Sequence, residues 1–590
     1  MSPRATQSGE TRLGGAASIS GGESQITSPR ALRELGELAP PEKLLLANLD
    51  SGAYHQCGEG GLPADDDAGR AIRAGLLRLL LLGGPDVPRL HEKGLRLRGA
   101  WVTGVLDVEG CRALDGIALA DCRFESSLIL RSAEIDSLVL DGSVLPGLAA
   151  RQLQVRGGIS LRAAEIAGAI DLQGADLGGE LVLDGSTVTQ ANGIAFNAAY
   201  IATRGDLTLR DSRIRGAVKV AGARINGDLM LLGAIIDHGG EVALAADGVH
   251  VAGDVVFRAA HIVGESTFIG ARVGGAFRLE GGTFEAPGGS AVTLNRAVIE
   301  GAMFLRHGTK VDGMLSLNGA HAGLIVDEPE SWPRPGDLLL NRFRYGGFLG
   351  SPVDARTRLD WLARQDPARQ GEDFWPQPYE QLSAVLVEMG HRDDARRILF
   401  EKERLQRRAV RVRAKKPWAR ASLMLKDLIL LATVGYGLHP LRALAWLALL
   451  WLTGVGLLTA AQALGELRPN SPVILRTPEW VLCGADTTQE LYLPSADQRR
   501  PGLASPGQSQ VACFLERPEA ESFPKFNKWV YSMDALLPGL ETGQRNYWSP
   551  DTRFEVGYAA KLFEYAQRIA GLALGILALA GFSGLVRSKQ

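Results

Sequence analysis

The clearest pattern in the chain is a short alternation of apolar and polar residues that restarts after a glycine, between about Leu95 and Gly347. The phrase recurs every 11 residues, and a longer period of 48 residues links three interleaved series of glycines. Fixed self-similarity with short strands is typical of a solenoid whose coils stack over one continuous core. The series are Gly157, Gly205, Gly253 and Gly301; Gly168, Gly216 and Gly264; and Gly179, Gly227, Gly275 and Gly323.

This periodicity predicts a mainly β fold, a right-handed parallel β-helix over residues 94–350. A coil would hold roughly 22 to 26 residues, so that two coils form one repeating unit. Each phrase has room for a strand of about four residues, with its glycine at a corner where the backbone adopts a positive φ or packs closely. Aliphatic residues and alanine would fill the narrow interior.

Helical periodicity flanks the solenoid on both sides. Within an N-terminal segment of residues 31–93, two apolar runs at helical spacing predict a cap over the first coil. Within residues 351–420, the stretch 378–404 predicts a helix, a glycine-centred turn and a second helix of tetratricopeptide type. Residues 1–30 are rich in Ser, Gly and Thr, a composition typical of a disordered tail.

Two stretches near the C-terminus, Ala443–Ala461 and Ile569–Val586, lack charged residues over 19 and 18 positions. That length is close to what a helix needs to cross the hydrocarbon core. We predict a membrane domain over residues 421–590, with spans at about 441–462 and 568–586. The loop between them, about 463–567, would lie outside.

A basic collar precedes the first span, and by the positive-inside rule it places both termini in the cytoplasm. The collar also suits anionic headgroups, where each Lys or Arg is worth about 1 kcal/mol. Between the collar and the span, residues 423–438 predict a helix in the membrane interface. The collar consists of Arg404, Arg407, Arg408, Arg411, Arg413, Lys415 and Lys416.

The loop between the spans contains two cysteines and one apolar segment. A compartment outside the cytoplasm permits a disulfide between Cys483 and Cys513, and two free thiols are the alternative. The segment Trp529–Gln544 is interpreted as an interfacial amphipathic helix, with a re-entrant element as the alternative. Gly571 and Gly575 form a GxxxG pattern that favours packing on the first span or on another copy.

Composition narrows the function classes. Glycine is 72 of 590 residues without a collagen triplet, 46% apolar residues exclude a wholly disordered chain, and a net charge of −2 argues against bulk attraction to nucleic acid. Cys57, Cys111 and Cys122 show no metal-ligand spacing and are interpreted as buried small hydrophobes.

The sequence offers no constellation of catalytic residues. Its nine histidines are scattered, and it contains no HExxH, GxSxG, P-loop or strand-associated GxGxxG. Calcium-dependent lyases need clustered aspartates, but Asp171, Asp206, Asp228 and Asp254 lie in different phrases and are interpreted as turn residues. We therefore predict no catalytic residue, no cofactor and no metal.

Thr433–Gly437 spells TVGYG, the letters of a potassium-channel filter. Such a filter lies between two spanning helices, whereas nothing predicted to span precedes this one. We interpret it as a turn leading into the span that begins near Pro440.

Four arginines recur every 48 residues, each after the last apolar residue of a strand: Arg162, Arg210, Arg258 and Arg306. At two coils per repeat they would be about 10 Å apart along one edge, and such a ladder suits an anionic polymer or an acidic partner. The alternative is that they are solvated and paired with nearby carboxylates. Three residues further on the copies read Glu165, Arg213, His261 and Thr309, which indicates a solvent position.

Four segments together resemble a family of bacterial membrane-anchored proteins with a pentapeptide-like β-solenoid and a C-terminal membrane unit. They are LRLRGAWVTGVLDVEGC, PYEQLSAVLVEMGHRDDARRIL, YGLHPLRALAW and YSMDALLPGLETGQ. The resemblance implies that fold and a place in the bacterial inner membrane. Members are often labelled membrane-associated oxidoreductases, which implies a cofactor site that these residues do not offer, so no catalytic residue is carried over.

The expected function is a non-catalytic inner-membrane scaffold whose cytoplasmic solenoid binds an unknown protein or an anionic ligand. The bilayer and a second copy of the chain are its other expected partners, and specific nucleic-acid binding is not expected. A small channel or membrane effector gated by the solenoid is the alternative. A membrane-associated oxidoreductase is the second alternative.

Overall fold

The computed structural model describes residues 29–582, apart from residues 60, 85, 113, 368–372, 438–440, 494–495, 538 and 541. The chain divides into a first unit that ends at Pro352 and a second that begins at Val353. Residues 1–28 of the expected disordered tail and the last residues of the second predicted span, 583–586, lie outside the described residues.

The first unit is a parallel β-solenoid of about 11 turns, which confirms the predicted solenoid. A turn passes in chain order through four short strands, each paired with the equivalent strand of the next turn, and the stacked strands form faces 1 to 4. Faces 1 and 2 make a 20-stranded sheet, and faces 3 and 4 make a 15-stranded sheet. The 11-residue spacing of the glycine phrases is therefore half a turn.

Faces 1 and 2 share one sheet. Face 1 consists of Glu134–Ile135, Gln154–Val155, Asp176–Leu177, Ala202–Thr203, Arg224–Ile225, His250–Val251, Arg272–Val273 and Arg344–Tyr345. Face 2 consists of His55–Gln56, Leu95–Arg98, Ile117–Ala120, Leu138–Val139, Ile159–Ser160, Leu181–Val182, Leu207–Thr208, Leu229–Met230, Val255–Val256 and Phe277–Arg278. Two strands run through both faces, Val298–Leu305 and His321–Asp327.

Faces 3 and 4 share the other sheet. Face 3 consists of Ala71–Arg73, Trp101–Thr103, Arg123–Phe124, Val144–Leu145 and Glu165–Ile166, and face 4 of Leu128–Ile129, Leu148–Ala149, Ile170–Asp171 and Leu338–Leu339. Six strands run through both faces: Thr187–Asn197, Arg213–Lys219, Ile235–Ala245, His261–Thr267, Thr283–Thr293 and Lys310–Ser316.

Turn length alternates in the central solenoid. Strands on face 1 begin at residues 176, 202, 224, 250, 272 and 298, so turns of 26 and 22 residues alternate and two turns make the predicted 48-residue unit. The longer turns carry their extra residues in the middle of an 11-residue strand, where the register with the next turn shifts. These strands are Thr187–Asn197, Ile235–Ala245 and Thr283–Thr293.

The repeated glycines serve two structural purposes. A Cβ on Gly253 would overlap Asp228 Oδ1 and lie 3.0 Å from the carbonyl oxygen of Gly227, so this glycine permits close stacking of turns. Gly216 has a φ of +122°, and a Cβ there would meet the carbonyl oxygen of Gln190 in the bulged strand of the preceding turn. Close stacking and unusual backbone conformation are both present, as predicted, but at different glycines.

The interior is mainly aliphatic, with one aromatic cluster in its middle turns. Phe257 packs against Phe268, Phe277 and Phe284, each at a ring-centroid distance of 5.7 Å. All four rings are fully buried. The core of the solenoid is therefore continuous but not purely aliphatic.

Two helices lie at the start of the solenoid, α1 (Pro40–Ala47) and α2 (Ala74–Leu82). Strands His55–Gln56 and Ala71–Arg73 already pair with the next turn, so the β ladder begins within the predicted cap segment. Buried Glu42 of α1 accepts hydrogen bonds from Arg73 Nη2 at 2.6 Å and from Arg73 N at 3.0 Å. Burial opposes its ionisation, but the bonds from Arg73 and Ala39 outweigh burial and lower the pKa of Glu42.

The second unit is mainly helical, and the predicted hairpin is observed around Gly390, whose φ is +90°. The helices are α3 (Ala355–Ala363), α4 (Gln377–Glu388), α5 (Arg392–Arg413), α6 (Pro417–Val434), α7 (Leu441–Ala463), α8 (Pro478–Leu482), α9 (Gln510–Leu515), α10 (Lys528–Leu536), α11 (Gln544–Tyr547) and α12 (Glu555–Phe582).

Two of these helices are long and apolar enough to cross a membrane: Leu441–Ala463, with a mean hydropathy of 1.9, and Glu555–Leu579, with 1.4. The first coincides with the predicted span. The second begins before the predicted start at residue 568, because the charged residues at its N-terminal end continue the same helix and find polar partners within the unit.

The segment between α7 and α12 folds around a core that it shares with the adjoining ends of these helices. Trp480, Phe514 and Trp548 are buried there together with the two cysteines. Leu467–Pro469 pairs with Trp548–Pro550, and Glu490–Leu493 pairs with Gln498–Pro501, both antiparallel.

Candidate functional site

The four repeated arginines occupy one column, at the end of face 2, on every second turn. The turns between them contribute acidic residues at two of three positions, and a further acid precedes the first arginine. The column reads Asp141, Arg162, Asp184, Arg210, Leu232, Arg258, Glu280 and Arg306. The predicted ladder is therefore an alternation of cations and anions, interrupted at Leu232.

Three of the four arginines in this column form ion pairs. Arg258 and Arg306 lie 3.3 Å and 2.7 Å from the carboxylate of Glu280, and Arg162 lies 3.4 Å from Glu180. Burial of Glu280 opposes its ionisation, but the hydrogen bonds from Arg306 and Arg258 outweigh burial and lower its pKa. Within the described part of the chain, no ion pair forms at Arg210, where Leu232 replaces the acid. These contacts favour the ion-paired alternative for the ladder.

A second column, on face 1, is basic over three consecutive turns. Arg224, His250 and Arg272 stand in register, and all three side chains are exposed. A strand separation of about 4.8 Å puts the two arginines roughly 10 Å apart. Among the described residues, neither arginine side chain has an ion pair or a hydrogen bond. Sequence reasoning missed this row because His250 belongs to the other half of the 48-residue unit.

The basic row borders an open groove of about 620 Å³. Small exposed residues, Ala252 and Gly274, leave room beside the row. Asn226 adds an amide, and Glu300 places one carboxylate at the far end. The groove thus combines two free cations with a floor of small and apolar groups.

The aspartates of the central turns cap the solenoid backbone. Oδ1 of Asp206 accepts from Asp228 N at 2.9 Å, and Oδ1 of Asp228 accepts from Asp254 N at 2.7 Å. Oδ1 of Asp254 accepts from Ala276 N at 2.7 Å. Asp171 binds the amides of Gln173 and Asn197. The described residues contain no group of His, Cys, Asp and Glu arranged to hold a metal ion.

The basic collar divides into two sets. Arg407 and Arg411 of α5 donate to Asp427 of α6 at 3.2 Å and 2.9 Å, and Asp427 is buried. Arg404 pairs with Glu401 of its own helix at 3.4 Å. The arginines facing α6 therefore join two helices, while the other collar residues face outward. Those exposed residues are Arg408, Arg413, Lys415 and Lys416.

Helix α6 exposes a large apolar face next to those cations. The residues are Trp418, Met424, Leu425, Leu428 and Ile429, each 49–68% exposed. Near its other end, Leu430 packs against Ala443 of α7 and Ala578 of α12. An amphipathic helix with exposed Trp, Leu and Lys fits the predicted position in a membrane interface.

Helix α10 packs against both long apolar helices, which also contact each other directly. Ser532 Oγ donates to the carbonyl of Trp451 in α7 at 3.0 Å and accepts from Gln567 Nε2 of α12 at 3.0 Å. Both partners lie near the middle of their helices. The contacts favour a re-entrant element, the alternative for Trp529–Gln544, over an interfacial helix; Pro538 and Glu541 lie outside the described residues.

Glycines permit this close packing. A Cβ on Gly454 of α7 would lie 2.5 Å from Ser532 Oγ, and a Cβ on Gly571 of α12 would overlap the carbonyl oxygen of Leu536. A Cβ on Gly575 would meet no described atom within 4 Å. The two glycines of the predicted GxxxG pattern therefore differ: Gly571 packs on α10, and Gly575 is open.

A buried carboxylate links three helices of the second unit. Glu564 of α12 accepts from Tyr531 Oη at 2.9 Å, from Arg545 Nη2 at 3.0 Å and from Lys561 Nζ at 2.9 Å. Glu564 lies outside the predicted span, and no pattern in the sequence distinguishes it from other surface carboxylates. Every charge in the cluster has a partner, which makes it a structural clamp on α10 and α11.

The TVGYG segment forms a helix end. Gly435 caps α6 in the left-handed conformation with φ +53°, and Tyr436 follows with φ +57°. The Tyr436 ring packs 5.7 Å from Phe400 and lies 4.7 Å from the guanidinium of Arg407. These contacts agree with the interpretation of the segment as a turn.

The structure joins Cys483 and Cys513 in a disulfide, with Cα atoms 5.6 Å apart. Cys57 and Cys122 are buried thiols, and Cys111 is partly exposed. Burial raises the pKa of Cys57 to about 11. A thiol that stays protonated near neutral pH is a poor nucleophile, so Cys57 behaves as a small apolar residue.

Relationships to known proteins add no function to this geometry. Of the predicted resemblance to bacterial membrane-anchored solenoid proteins, the structure contains a β-solenoid of about 11 turns followed by helices. Membership of that family stays a prediction. No protein-family model, no curated protein and no solved structure matches the chain.

Proposed function

We propose that this chain is a non-catalytic membrane-anchored scaffold, in which the second unit holds the protein in a bilayer and the solenoid binds a partner. The observation that carries the proposal is the outer surface of α7 and α12. Leu441, Ile569 and Leu579 are 69–73% exposed on helices long enough to cross a membrane. Apolar patches of this extent are covered in a functional protein, and lipid is the cover that suits their length.

The proposed orientation puts the solenoid and both termini in the cytoplasm of a bacterial inner membrane. Two observations support it. The exposed cations of the collar precede α7, as the positive-inside rule requires for a cytoplasmic flank. The segment between α7 and α12 contains the Cys483–Cys513 disulfide, and disulfides persist in oxidising compartments.

Anchoring and orientation are tested on the full-length protein in cell membranes. Single cysteines introduced as Arg215→Cys in the solenoid and Arg499→Cys in the loop are treated with a membrane-impermeant maleimide, in a Cys111→Ser background. Loop labelling in cells whose inner membrane is intact, with solenoid labelling only after lysis, supports the orientation. Extraction of the protein by alkali would overturn the anchor.

Scaffold activity is tested by photo-crosslinking in those membranes from one position on each face: exposed His250 and Arg213, and partly exposed Met230 and Lys219. A binding scaffold gives a discrete adduct from one face. Equal and diffuse labelling from all four faces contradicts it.

A small channel is the second candidate, favoured by the packing of α10 against the middles of α7 and α12. Ser532, Gln567 and Glu564 put polar atoms beside these helices. Ion flux from liposomes that contain the full chain, abolished by Ser532→Leu, would support this candidate. An absence of flux in proteoliposomes of confirmed orientation would remove it.

A further inference from the structure

We infer that the groove beside Arg224, His250 and Arg272 is the binding site of the solenoid, and that it takes an extended acidic peptide segment of a partner protein. The inference rests on the proposed scaffold function and names the chemistry of its partner. It moves the anionic site from the repeated arginine ladder to a different face.

The two arginine columns differ in the residue that lies between their arginines. In the ladder, Glu280 lies between Arg258 and Arg306 and binds both, so each guanidinium already has a donor engaged by a carboxylate of the chain itself. On face 1 the residue between two arginines is His250, which adds no negative charge. Arg224 and Arg272 therefore keep their donors free for a ligand carboxylate, and an arginine fork binds a carboxylate through two parallel hydrogen bonds.

The spacing of the row suits an extended chain. Side chains two residues apart in a β-strand lie on one side at about 6.8 Å. Two arginines whose Cα atoms are roughly 10 Å apart reach two such carboxylates with their long side chains. A peptide that follows the groove along the solenoid axis would satisfy both arginines.

The rest of the groove favours a peptide over a polyanion. Its floor is formed by small and apolar groups, including Ala252 and Gly274, which accept peptide side chains and backbone. Glu300 at one end repels a uniform polyanion such as polyphosphate or nucleic acid. A mixed peptide places an amide or a basic residue beside Glu300, so the site discriminates by charge pattern as well as net charge.

The experiment uses the full-length protein in nanodiscs of zwitterionic lipid, so that lipid charge does not contribute. The probe is a fluorescein-labelled 12-residue peptide of alternating Glu and Val, followed by fluorescence polarisation. Arg224→Gln with Arg272→Gln should weaken binding at least tenfold. The matched control, Arg162→Gln with Arg210→Gln, removes two arginines from the ladder and should change binding less than twofold.

His250→Glu tests the site more directly than the double arginine variant. It places an acidic residue between two arginines on face 1, as Glu280 lies between two arginines in the ladder. It should weaken peptide binding as much as the double arginine variant, with an unchanged thermal unfolding midpoint. Equal losses from the ladder control and the groove variant would overturn the site. Displacement of the probe by a 12-unit polyphosphate at lower concentration than by unlabelled peptide would overturn the peptide class.

Failure of this inference is separable from failure of the scaffold function. Absence of probe binding to the wild-type protein, with a discrete photo-crosslink from another face, would contradict the groove and leave the scaffold in place. Absence of both would contradict both.

Discussion

The carboxylate of Glu280 accepts a hydrogen bond from Arg306 Nε at 2.7 Å while its side chain is only 2% exposed. Arg258 donates to the other oxygen from the turn on the opposite side. One acidic residue thus ties three turns of the solenoid together.

Glu280→Gln should therefore destabilise the solenoid by about 1–2 kcal/mol, because a buried acceptor loses its charge while its two arginine partners remain half exposed. The lowered pKa of Glu280 means that its contribution is complete above its ordinary value near 4.5 and is lost as pH falls through the lower folded value. Unfolding midpoints of wild type and variant should differ at pH 7 and converge once the pH falls below the lowered folded pKa of Glu280. A pH-independent difference would contradict this assignment.

Gly253→Ala should destabilise the solenoid by about 1–3 kcal/mol, because its Cβ would overlap the Asp228 carboxylate and press on the carbonyl of Gly227. Gly61→Ala is the matched control, since a Cβ there meets no atom of the described residues within 4 Å. Hydrogen exchange of strands Leu229–Met230 and Val255–Val256 should accelerate only in the first variant. Equal protection in both would contradict the close stacking of turns at Gly253.

The repeat could be predicted in detail because stacking imposes it on the sequence. Gly253 and Gly216 recur at 48 residues since the two kinds of turn alternate, and each copy meets the same steric requirement. The spans could also be predicted, because a run without charged residues such as Ala443–Ala461 is visible in the sequence itself and does not depend on tertiary contacts.

The side chain that lies next to a given residue on the adjacent turn could not be predicted in the same way. A 48-residue comparison aligns Arg162 with Arg210 and skips the turn between them, so it hid both the acid at Asp184 and the row through His250. It also failed where the repeat slips. On face 3, Lys310 and not Thr309 is in register with Arg213 and His261. The prediction of a solvent position is wrong for Thr309, which is buried and donates to the carbonyl of Leu279 at 2.7 Å.

The two sets of collar residues should respond differently to lipid. Lys415→Gln with Lys416→Gln should reduce hydrogen-exchange protection of α6 only in nanodiscs that contain anionic lipid, since each exposed cation contributes about 1 kcal/mol at such a surface. Arg407→Gln with Arg411→Gln leaves buried Asp427 without its partners and should reduce protection in any lipid. Identical lipid dependence of the two double variants would contradict the division of the collar.

Two glycines four residues apart test the position of α10. Gly571→Leu should displace α10, because its side chain would occupy the space of the Leu536 carbonyl. The expected result is a lower unfolding midpoint in nanodiscs and faster proteolysis of the segment between α7 and α12.

Gly575→Leu is the matched control, because it adds the same apolar side chain to the same helix. No described atom lies within 4 Å of the new Cβ, so both measurements should stay unchanged. Loss of a dimer in Gly575→Leu would assign that glycine to packing between copies, as the sequence pattern allows. Equal proteolysis of both variants would instead show that α10 does not depend on the Gly571 contact.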